Sequence, residues 1–405
     1  MKIVNGGVTA AKGFKAASVS CGIKKSKKDD LALLFSDGPC ASAGTFTINR
    51  IRSGSVALSE ERIKKGNAQA IIVNSGNANC CSGNKELKNA ASITDLTARR
   101  LGLDNGKVLI ASTGIIGRPL PAGKILKGIN SLVKGLKVNN GSKFAKAIMT
   151  TDTVHKEIAV KITIGNKKVT IGGAVKGSGM ICPNMATMLA FFTTDALIER
   201  SALKAAFKEA VQGSFNRITV DGDMSTNDSA FILANGMAQN RVIRKASADY
   251  SKFLDALKAV SIDLAKKIVL DGEGATRFIE VAVKGAGNKQ DAEKIARHIA
   301  GSSLVKTMIA GGDPNWGRVA ASIGSSGARI DAKKTDIYFG KTPVMKNGFA
   351  VEASRKILLE MFRKKEIYIT VDLNSGAGSE KIWTCDLTKR YVEINAEYET
   401  STRAR

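Results

Sequence analysis

The sequence has few of the side chains on which common kinds of active site depend. Its 405 residues include only two histidines and six cysteines, and aromatic residues make up 5%. The histidines, His155 and His298, are far apart, which makes a histidine zinc site or a Ser-His-Asp triad improbable. The cysteines form no Cys-x-x-Cys pair, so we expect them to be reduced and mainly to pack. An enzyme with this sequence therefore needs a base other than histidine.

Acidic residues are also scarce relative to basic ones. The chain has 62 Lys and Arg against 36 Asp and Glu, a formal net charge of +26. Such a charge favours anionic partners, either nucleic acid or acidic small molecules. The lysines are interleaved with acids along the chain, and the aromatic residues are too few for an obvious base-stacking platform. Nucleic-acid binding is therefore the less favoured interpretation, and we expect no nucleic-acid partner.

Long hydrophobic runs are missing as well. None approaches the roughly 18 residues that would span a bilayer, and the N-terminal "MKIVNGGVTAAKGF" lacks the apolar core of a signal peptide. We therefore expect a cytoplasmic protein with no membrane partner. The content of 43% hydrophobic residues is typical of a globular protein, and 405 residues are enough for two or three domains.

Hydrophobic periodicity predicts helices that alternate with strands. A helix is predicted over 85–103, a strand in "KVLIASTGIIG", and a hairpin from "EIAVKITIG" and "KKVTIGGAV". Long helices are predicted in "DYSKFLDALKAVSIDLAKKIVLDGEG" and in "KQDAEKIARHIAGSSLVKTMIAGGD". Near the C-terminus, "RYVEINAEY" resembles a strand. This alternation predicts an α/β or α+β protein built in layers.

Several familiar motifs are incomplete. "GSGMIC" lacks the third glycine of a dinucleotide fingerprint, where Cys182 stands, and "FGKT" lacks the opening glycine of a phosphate loop, where Thr335 stands. We therefore expect no bound cofactor. The acidic run "DGDMSTND" (221–228) could hold a hard cation, but a turn stabilised by Asp and Asn side chains is favoured, and no metal site is predicted. Trp316 of "GGDPNWGR" either packs or lines a pocket.

The segment "KGSGMICPNMATMLAFFTTDA" (176–196) allows a reaction that needs no histidine. If the Ala186–Thr187 bond is cut, Thr187 gains a free α-amine with a pKa of roughly 7.7–8.0. Nucleophile and base would then belong to one residue. The alternative is a threonine that simply opens a buried strand, which is the more common case, and the residue types alone leave both readings open.

The same segment resembles the self-cleavage region of the ornithine acetyltransferases, also called glutamate N-acetyltransferases or the ArgJ family. The resemblance extends over nearly the whole chain, in the family's order. It includes the stretches "DLALLFSDGPCASAGTFTINR", "VNSGNANCCSG", "ASTGIIGRPLP", "AIMTTDT", "VDGDMSTNDS", "DGEGATRFIEV", "GGDPNWGR" and "YVEINAEYET". The fold it implies is the ArgJ/DmpA-like type of self-cleaving, N-terminal-nucleophile enzyme, with layered sheets flanked by helices.

The resemblance implies a precursor that cuts itself between Ala186 and Thr187. The products are an α chain (1–186) and a β chain (187–405) with a smaller C-terminal lobe over about 285–405, and they associate as an α2β2 heterotetramer. Thr187 takes the acetyl group from N²-acetylornithine and glutamate then removes it, which is a ping-pong scheme through a covalent intermediate. Acetyl-CoA is left open as a second acetyl donor.

The family's functional residues map onto this sequence one by one. The resemblance implies that Thr113 and Gly114 of "STG" form the oxyanion hole and that Thr187 is the nucleophile. The substrate-binding positions that it implies are Thr150, Lys176, Thr187, Glu273, Asn395 and Thr400. A lysine and a glutamate together suit an amino-acid substrate that carries both charges. The competing hypothesis is a self-cleaving amidase or aminopeptidase of similar fold, which would pass the acyl group to water.

Overall fold

The computed structural model describes residues 1–182 and 188–396 of the chain. Two compact units make it up. Of the described residues, the first unit comprises 1–182, 188–216 and 223–268, and the second comprises 217–222 and 269–396. Within the described ranges, no helix combines the length and the apolar character that a membrane crossing requires.

The strands of the two units are short to medium in length. They are Lys2–Val4 (β1), Phe14–Val19 (β2), Leu31–Ser36 (β3), Ala41–Phe46 (β4), Ala70–Asn77 (β5), Val108–Ile115 (β6), Lys156–Ile164 (β7), Lys167–Lys176 (β8), Leu189–Thr194 (β9), Ser229–Ala234 (β10), Phe278–Ala286 (β11), Asp336–Phe339 (β12), Thr342–Lys346 (β13), Phe349–Ala350 (β14), Glu366–Asp372 (β15) and Gly378–Cys385 (β16).

The α-helices are distributed over both units. They are Gly54–Ile63 (α1), Glu86–Leu101 (α2), Ala122–Lys134 (α3), Gly141–Ala147 (α4), Arg200–Gln212 (α5), Ala248–Leu270 (α6), Lys289–Gly301 (α7), Ser303–Ala310 (α8), Trp316–Gly324 (α9), Arg355–Phe362 (α10) and Lys389–Ala396 (α11).

The first unit contains two stacked sheets. One has four strands in the order β2-β3-β5-β6, and the other has six in the order β1-β7-β8-β9-β10-β4. Side chains alternate along β3: Leu33 packs with helices α2 and α3, whereas Leu34 packs toward Phe191 and Phe231 of the six-stranded sheet. The far face of the six-stranded sheet meets α5, where the rings of Phe192 and Phe207 lie 5.5 Å apart.

The second unit is built on one six-stranded sheet in the order β14-β13-β12-β15-β11-β16. Strand β11 runs parallel to β15 and antiparallel to β16. Its apolar face forms one core with helices α7, α8 and α9, including Ile279, Ile295 and Val319. Trp316 packs against this core while half-buried, so of the two roles considered for it the packing role is observed.

Most of the predicted elements are confirmed. The helix predicted over 85–103 is α2, the strand in "KVLIASTGIIG" is β6, the hairpin is β7 and β8, and the helix in "DYSKFLDALKAVSIDLAKKIVLDGEG" is α6. The layered α/β architecture with helices on the sheets is confirmed too. These elements share a long periodic pattern and clear turn residues at their ends, which are the strongest local signals.

Two predicted elements are wrong. The strand expected in "RYVEINAEY" is helix α11, because its contacts are local: Arg390 pairs with Glu393 at 2.9 Å, and the Asn395 amide donates to the Tyr391 carbonyl. The single helix expected from "KQDAEKIARHIAGSSLVKTMIAGGD" is two helices, α7 and α8. Ser302 divides them, because its extended backbone ends the first and its Oγ accepts the Val305 N–H to cap the second.

Candidate functional site

The predicted oxyanion residues lie at the end of strand β6. Strands β5 and β6 are parallel, with Gly76 opposite Gly114 in the register. Gly114 has a φ of 130°, and a Cβ there would lie 2.5 Å from the Asn77 amide nitrogen and closer still to the Gly76 carbonyl carbon. Only glycine fits a backbone that is both left-handed and this close to its neighbour. Thr113, which precedes it, is 6% exposed.

Lys176 comes to the same place from a different sheet. It is the last residue of β8, its side chain is almost fully buried, and its Nζ donates to Thr113 Oγ1 at 3.4 Å. Sixty-three positions separate the two residues in the chain. A buried ammonium is suited to bind an anionic group, and the threonine hydroxyl and glycine-only backbone beside it are suited to stabilise an oxygen that gains negative charge.

A buried hydrogen-bond network supports the end of β6. Ser112 Oγ donates to Asn74 Oδ1 at 2.6 Å, which links β6 to β5. Asn227 Nδ2 donates to the carbonyl oxygens of Ala78 and Ser112 at 2.6 and 2.8 Å. Asn227 belongs to the "DGDMSTND" run, and its N–H donates to Ser225 Oγ, as in the turn favoured for that run. This network fixes the backbone that presents Thr113.

The described residues contain no grouping of three or more His, Cys, Asp or Glu side chains that could hold a metal ion. The two histidines belong to different units. His298 Nε2 is 2.9 Å from Ser325 Oγ in the second unit, and His155 Nε2 is 3.8 Å from Glu157 Oε1.

A buried aspartate balances the charge of Lys176. Asp152 Oδ1 accepts from Lys156 Nζ and from the Gly177 N–H, both at 2.7 Å. Burial alone would raise the pKa of Asp152, but the charges of Lys176 and Lys156 and these hydrogen bonds lower it to about 2. Asp152 is therefore ionised at neutral pH.

Thr150, another predicted substrate-binding residue, adjoins this aspartate. Its backbone N–H donates to Asp152 Oδ2 at 3.0 Å, and the side chain of Thr150 is half-buried. The neighbouring Thr151 Oγ1 lies 2.8 Å from Ser178 Oγ, two residues beyond Lys176. The first unit thus brings Thr113, Gly114, Thr150 and Lys176 into one polar neighbourhood.

Lys24 is a cation of this neighbourhood that sequence reasoning missed. Its Nζ donates to the carbonyl oxygens of Asp29 and Ala147 at 3.0 Å, and its Cγ lies 3.2 Å from the place that a Cβ on Gly76 would take. Burial, together with repulsion from the charge of Lys176, lowers the pKa of Lys24 to about 8, although attraction to Asp30 acts to raise it. Only the position of Lys24 beside β5 indicates a role at the site, because in the sequence it is one of several lysines in "KKSKKDD".

The predicted cleavage bond itself, Ala186–Thr187, lies outside the described residues. Met188, the next residue in the chain, is described and buried, and its N–H donates to Asp228 Oδ1 at 2.9 Å. Strands β9 and β10 begin side by side just after these two residues, with Leu189 opposite Ser229. The sequence drew attention to the run that ends in Asp228 but gave this aspartate no role.

The remaining predicted site residues belong to the second unit. Glu273 and Asn395 lie together: Asn395 Nδ2 donates to Glu273 Oε2 at 2.9 Å, and Glu273 is 8% exposed. Helix α11, which carries Asn395, is held beside the Glu273 loop by the hydrogen bond from Thr388 Oγ1 to the Gly274 carbonyl at 2.7 Å. Thr400 lies outside the described residues.

The sequence is similar to those of a known protein family over nearly its whole length. The sequence model of the ArgJ family matches residues 15–400. The protein "Arginine biosynthesis bifunctional protein ArgJ" of Symbiobacterium thermophilum is 47% identical over 402 residues, which are 99% of this chain and 100% of that protein. The protein of the same name from Dehalococcoides mccartyi is 48% identical over 98% of each chain.

Solved structures are similar over a smaller part of the chain. The crystal structure of the ornithine acetyltransferase from Mycobacterium tuberculosis, complexed with ornithine, is 35% identical, covers 45% of this chain and 98% of its own, and has a TM-score of 0.43.

Proposed function

The chain belongs to the ArgJ family, as its sequence predicts, and we propose that it transfers the acetyl group of N²-acetylornithine to glutamate in arginine biosynthesis. Its relatives are named for arginine biosynthesis, and the similarity covers their whole length. The observation that most supports acyl transfer here is the contact of Lys176 Nζ with Thr113 Oγ1 at 3.4 Å, beside the glycine-only position 114.

The proposed enzyme matures by self-cleavage between Ala186 and Thr187. The products are the α chain 1–186 and the β chain 187–405, whose smaller C-terminal lobe covers about 285–405. They stay associated as an α2β2 heterotetramer in the cytoplasm. Thr187 then carries both the nucleophilic hydroxyl and, as its free α-amine, the base that activates it.

Acetyl transfer proceeds in two half-reactions. Thr187 Oγ attacks the acetyl carbonyl of N²-acetylornithine, and the Thr113 hydroxyl and the Gly114 N–H stabilise the oxyanion that forms. Ornithine leaves with the proton that the α-amine had taken. Glutamate then attacks the acetyl-threonine ester through its amino group, and N-acetylglutamate and free Thr187 result.

Charged residues orient the two amino-acid substrates. We assign Lys176 and Thr150 to the substrate carboxylate, because a buried ammonium binds an anion strongly. Glu273, with Asn395 donating to it, is assigned to the cationic side chain of ornithine. Thr400 is assigned to the substrate site on the family pattern. No resident cofactor or metal takes part in this scheme.

A second acetyl donor, acetyl-CoA, is also proposed. The relatives at 47% and 48% identity carry the word bifunctional in their names, which fits an enzyme that both exchanges acetyl groups and makes N-acetylglutamate afresh. In this scheme acetyl-CoA is a substrate that loads the same threonine.

A labelled-acetyl assay tests the proposal. N²-acetylornithine carrying a labelled acetyl group is incubated with the enzyme and glutamate, and labelled N-acetylglutamate and free acetate are measured. We expect N-acetylglutamate to dominate and the Thr187→Ala variant to make neither product. As a matched control, Thr163→Ala, an exposed threonine of β7, should keep full activity. Acetate as the main product would instead indicate the amidase alternative.

A further inference from the structure

Two adjacent cysteines, Cys80 and Cys81, lie in the loop that follows β5 and take no part in the proposed transfer reaction. Cys80 is 1% exposed, as expected of a packing residue, whereas Cys81 is exposed to solvent. Their Sγ atoms are in contact at 3.7 Å. The pair therefore joins a buried thiol to an exposed one, and a reagent in solution can reach it through Cys81.

The backbone of this loop brings the two thiols together. Side chains of adjacent residues point to opposite faces of a strand, and in a helix they point about 100° apart. Cys81 has neither conformation, because its φ is 53°, in the left-handed region that residues other than glycine rarely adopt. Such an outlier in the backbone is often associated with function. Here it accompanies the contact between the two sulfurs.

The distance between the sulfurs distinguishes two reactions of a thiol pair. A disulfide requires an S–S bond of about 2.0 Å and Cα atoms at least about 4.4 Å apart, whereas adjacent Cα atoms across a trans peptide bond are about 3.8 Å apart. A single soft atom that binds both sulfurs at about 2.3 Å, with tetrahedral angles, leaves them about 3.8 Å apart. The observed 3.7 Å therefore favours chelation of one atom over a disulfide.

The number of available ligands decides which soft atom fits. A structural zinc ion requires four ligands, and within residues 1–182 and 188–396 no third His, Cys, Asp or Glu side chain completes a metal-binding group. An ion that prefers two ligands in a line would hold the sulfurs about 4.6 Å apart at the same bond length. Trivalent arsenic forms three bonds in a bent, pyramidal arrangement. We propose that Cys80 and Cys81 form a two-sulfur binding site for trivalent arsenicals.

The binding step balances in atoms and involves no oxidation or reduction. In an arsenical of the type R–As=O, the oxygen takes both thiol protons and leaves as water, and two As–S bonds replace the As–O double bond. The reaction consumes protonated thiols. Burial raises the pKa of Cys80 to about 11, so this thiol is protonated at neutral pH and is a poor target for alkylating reagents, which need a thiolate. The pair is therefore selective for a reagent that joins two thiols.

A bound arsenical should also disturb the proposed oxyanion site. The Cys80 carbonyl accepts the Gly117 N–H at 2.9 Å, which connects this loop to the chain just after β6. The Cys80 sulfur has a side-chain hydrogen bond with Thr226, whose Oγ1 donates to Asn227 Oδ1 at 2.6 Å. Asn227 belongs to the network that fixes the backbone of Thr113. An extra atom on the buried sulfur overpacks this region, so we expect slower acetyl transfer. Only this effect on transfer rests on the proposed function.

The experiment uses phenylarsine oxide as the probe and the full-length wild-type protein with its thiols reduced. Mass spectrometry of the chains and their peptides should show one phenylarsenic group in place of two thiol hydrogens, in the peptide that contains Cys80 and Cys81. Dithiothreitol, which is itself a dithiol, should remove the group. Glutathione at the same thiol concentration should not, because a monothiol cannot form the competing chelate.

Single substitutions test whether both sulfurs bind. Cys81→Ser, at an exposed position, leaves one sulfur and should bind phenylarsine oxide about 100- to 10,000-fold more weakly, because the second, intramolecular bond is lost. Cys80→Ser should weaken binding to the same extent. If this buried substitution prevents folding, Cys81→Ser and the wild-type peptide map still decide the question. The matched control is Cys21→Ser, which removes a partly buried thiol of the same unit and should bind like wild type.

Binding and activity are measured separately. Modification of the wild-type pair with loss of acetyl transfer, and continued transfer by Cys81→Ser in the presence of the arsenical, would support the inference. An arsenical on other cysteines, equal binding by Cys81→Ser, or equally rapid removal by glutathione would overturn the site. Full transfer by enzyme whose pair is occupied would overturn the effect on the oxyanion site. Wild-type protein that shows no transfer before the arsenical is added contradicts the proposed function, while the mass measurement still decides the binding site.

Discussion

Replacing Gly114 by alanine tests the geometry of the proposed oxyanion site most sharply. The alanine must hold a φ of 130° that disfavours any side chain, and its Cβ would lie 2.5 Å from the Asn77 amide nitrogen. The left-handed backbone contributes about 1–3 kcal/mol of strain, and the overpacking adds about 1–3 kcal/mol. Gly117→Ala is the matched control. The φ of Gly117 is 79°, but a Cβ there meets nothing within 4 Å, so this variant has the backbone strain without the overpacking.

The Gly114→Ala and Gly117→Ala variants should differ in both stability and activity. Urea unfolding is measured in a Thr187→Ala background, which on the proposed scheme stays uncut, and should show Gly114→Ala less stable than Gly117→Ala by about 1–3 kcal/mol. In otherwise wild-type enzyme, acetyl transfer by Gly114→Ala should fall about 100- to 1,000-fold, the effect of displacing one oxyanion donor. Equal stability and equal activity of the two variants would contradict the inference that the close approach of β5 and β6 excludes a Cβ at position 114.

Three further predictions concern charge and capping. Asp152→Asn breaks the buried ion pair of this carboxylate with Lys156 and should destabilise the uncut chain by about 3–5 kcal/mol in urea unfolding. By contrast, Asp37→Asn breaks the half-exposed pair with Lys15 and should change the free energy of unfolding by less than about 0.5 kcal/mol. The pKa of Lys24 is lowered from 10.5 to about 8, so the folded chain loses this proton at a lower pH than the unfolded chain does. The free energy of unfolding should therefore rise between about pH 8 and pH 10.5, and the rise should be smaller in Lys24→Met by the contribution of this group. Ser302→Ala removes the cap of α8 and should lower the thermal stability by about 1 kcal/mol, with Ser303→Ala, an exposed neighbour, as the control.

The parts of the fold that the sequence predicts well are those with strong local patterns. Helix α2 has apolar residues at helical spacing over sixteen residues, and the β7–β8 hairpin alternates around a Gly-Asn turn. The misassigned segment of α11 has no buried residue, so the hydrophobic pattern that distinguishes strand from helix carries no information there.

The candidate site is less predictable because its contacts are distant in the chain. The family resemblance supplied Thr113 and Lys176, and nothing local to either residue announces that Lys176 Nζ lies 3.4 Å from Thr113 Oγ1. Lys24 and Asp228 became visible only from burial: in the sequence one is a lysine in a basic cluster and the other an acid in a turn. The pKa of each depends on desolvation, which tertiary packing produces.

The most direct test of the central claim is the N-terminal sequence and mass of the purified wild-type chains. The account predicts two chains, the first ending at Ala186 and the second beginning at Thr187 with the sequence Thr-Met-Leu-Ala. Incubation with N²-acetylornithine alone should add one acetyl group to the peptide that starts at Thr187, and glutamate should remove it. A single intact chain with full transfer activity, or an acetyl group on another residue, would contradict the account.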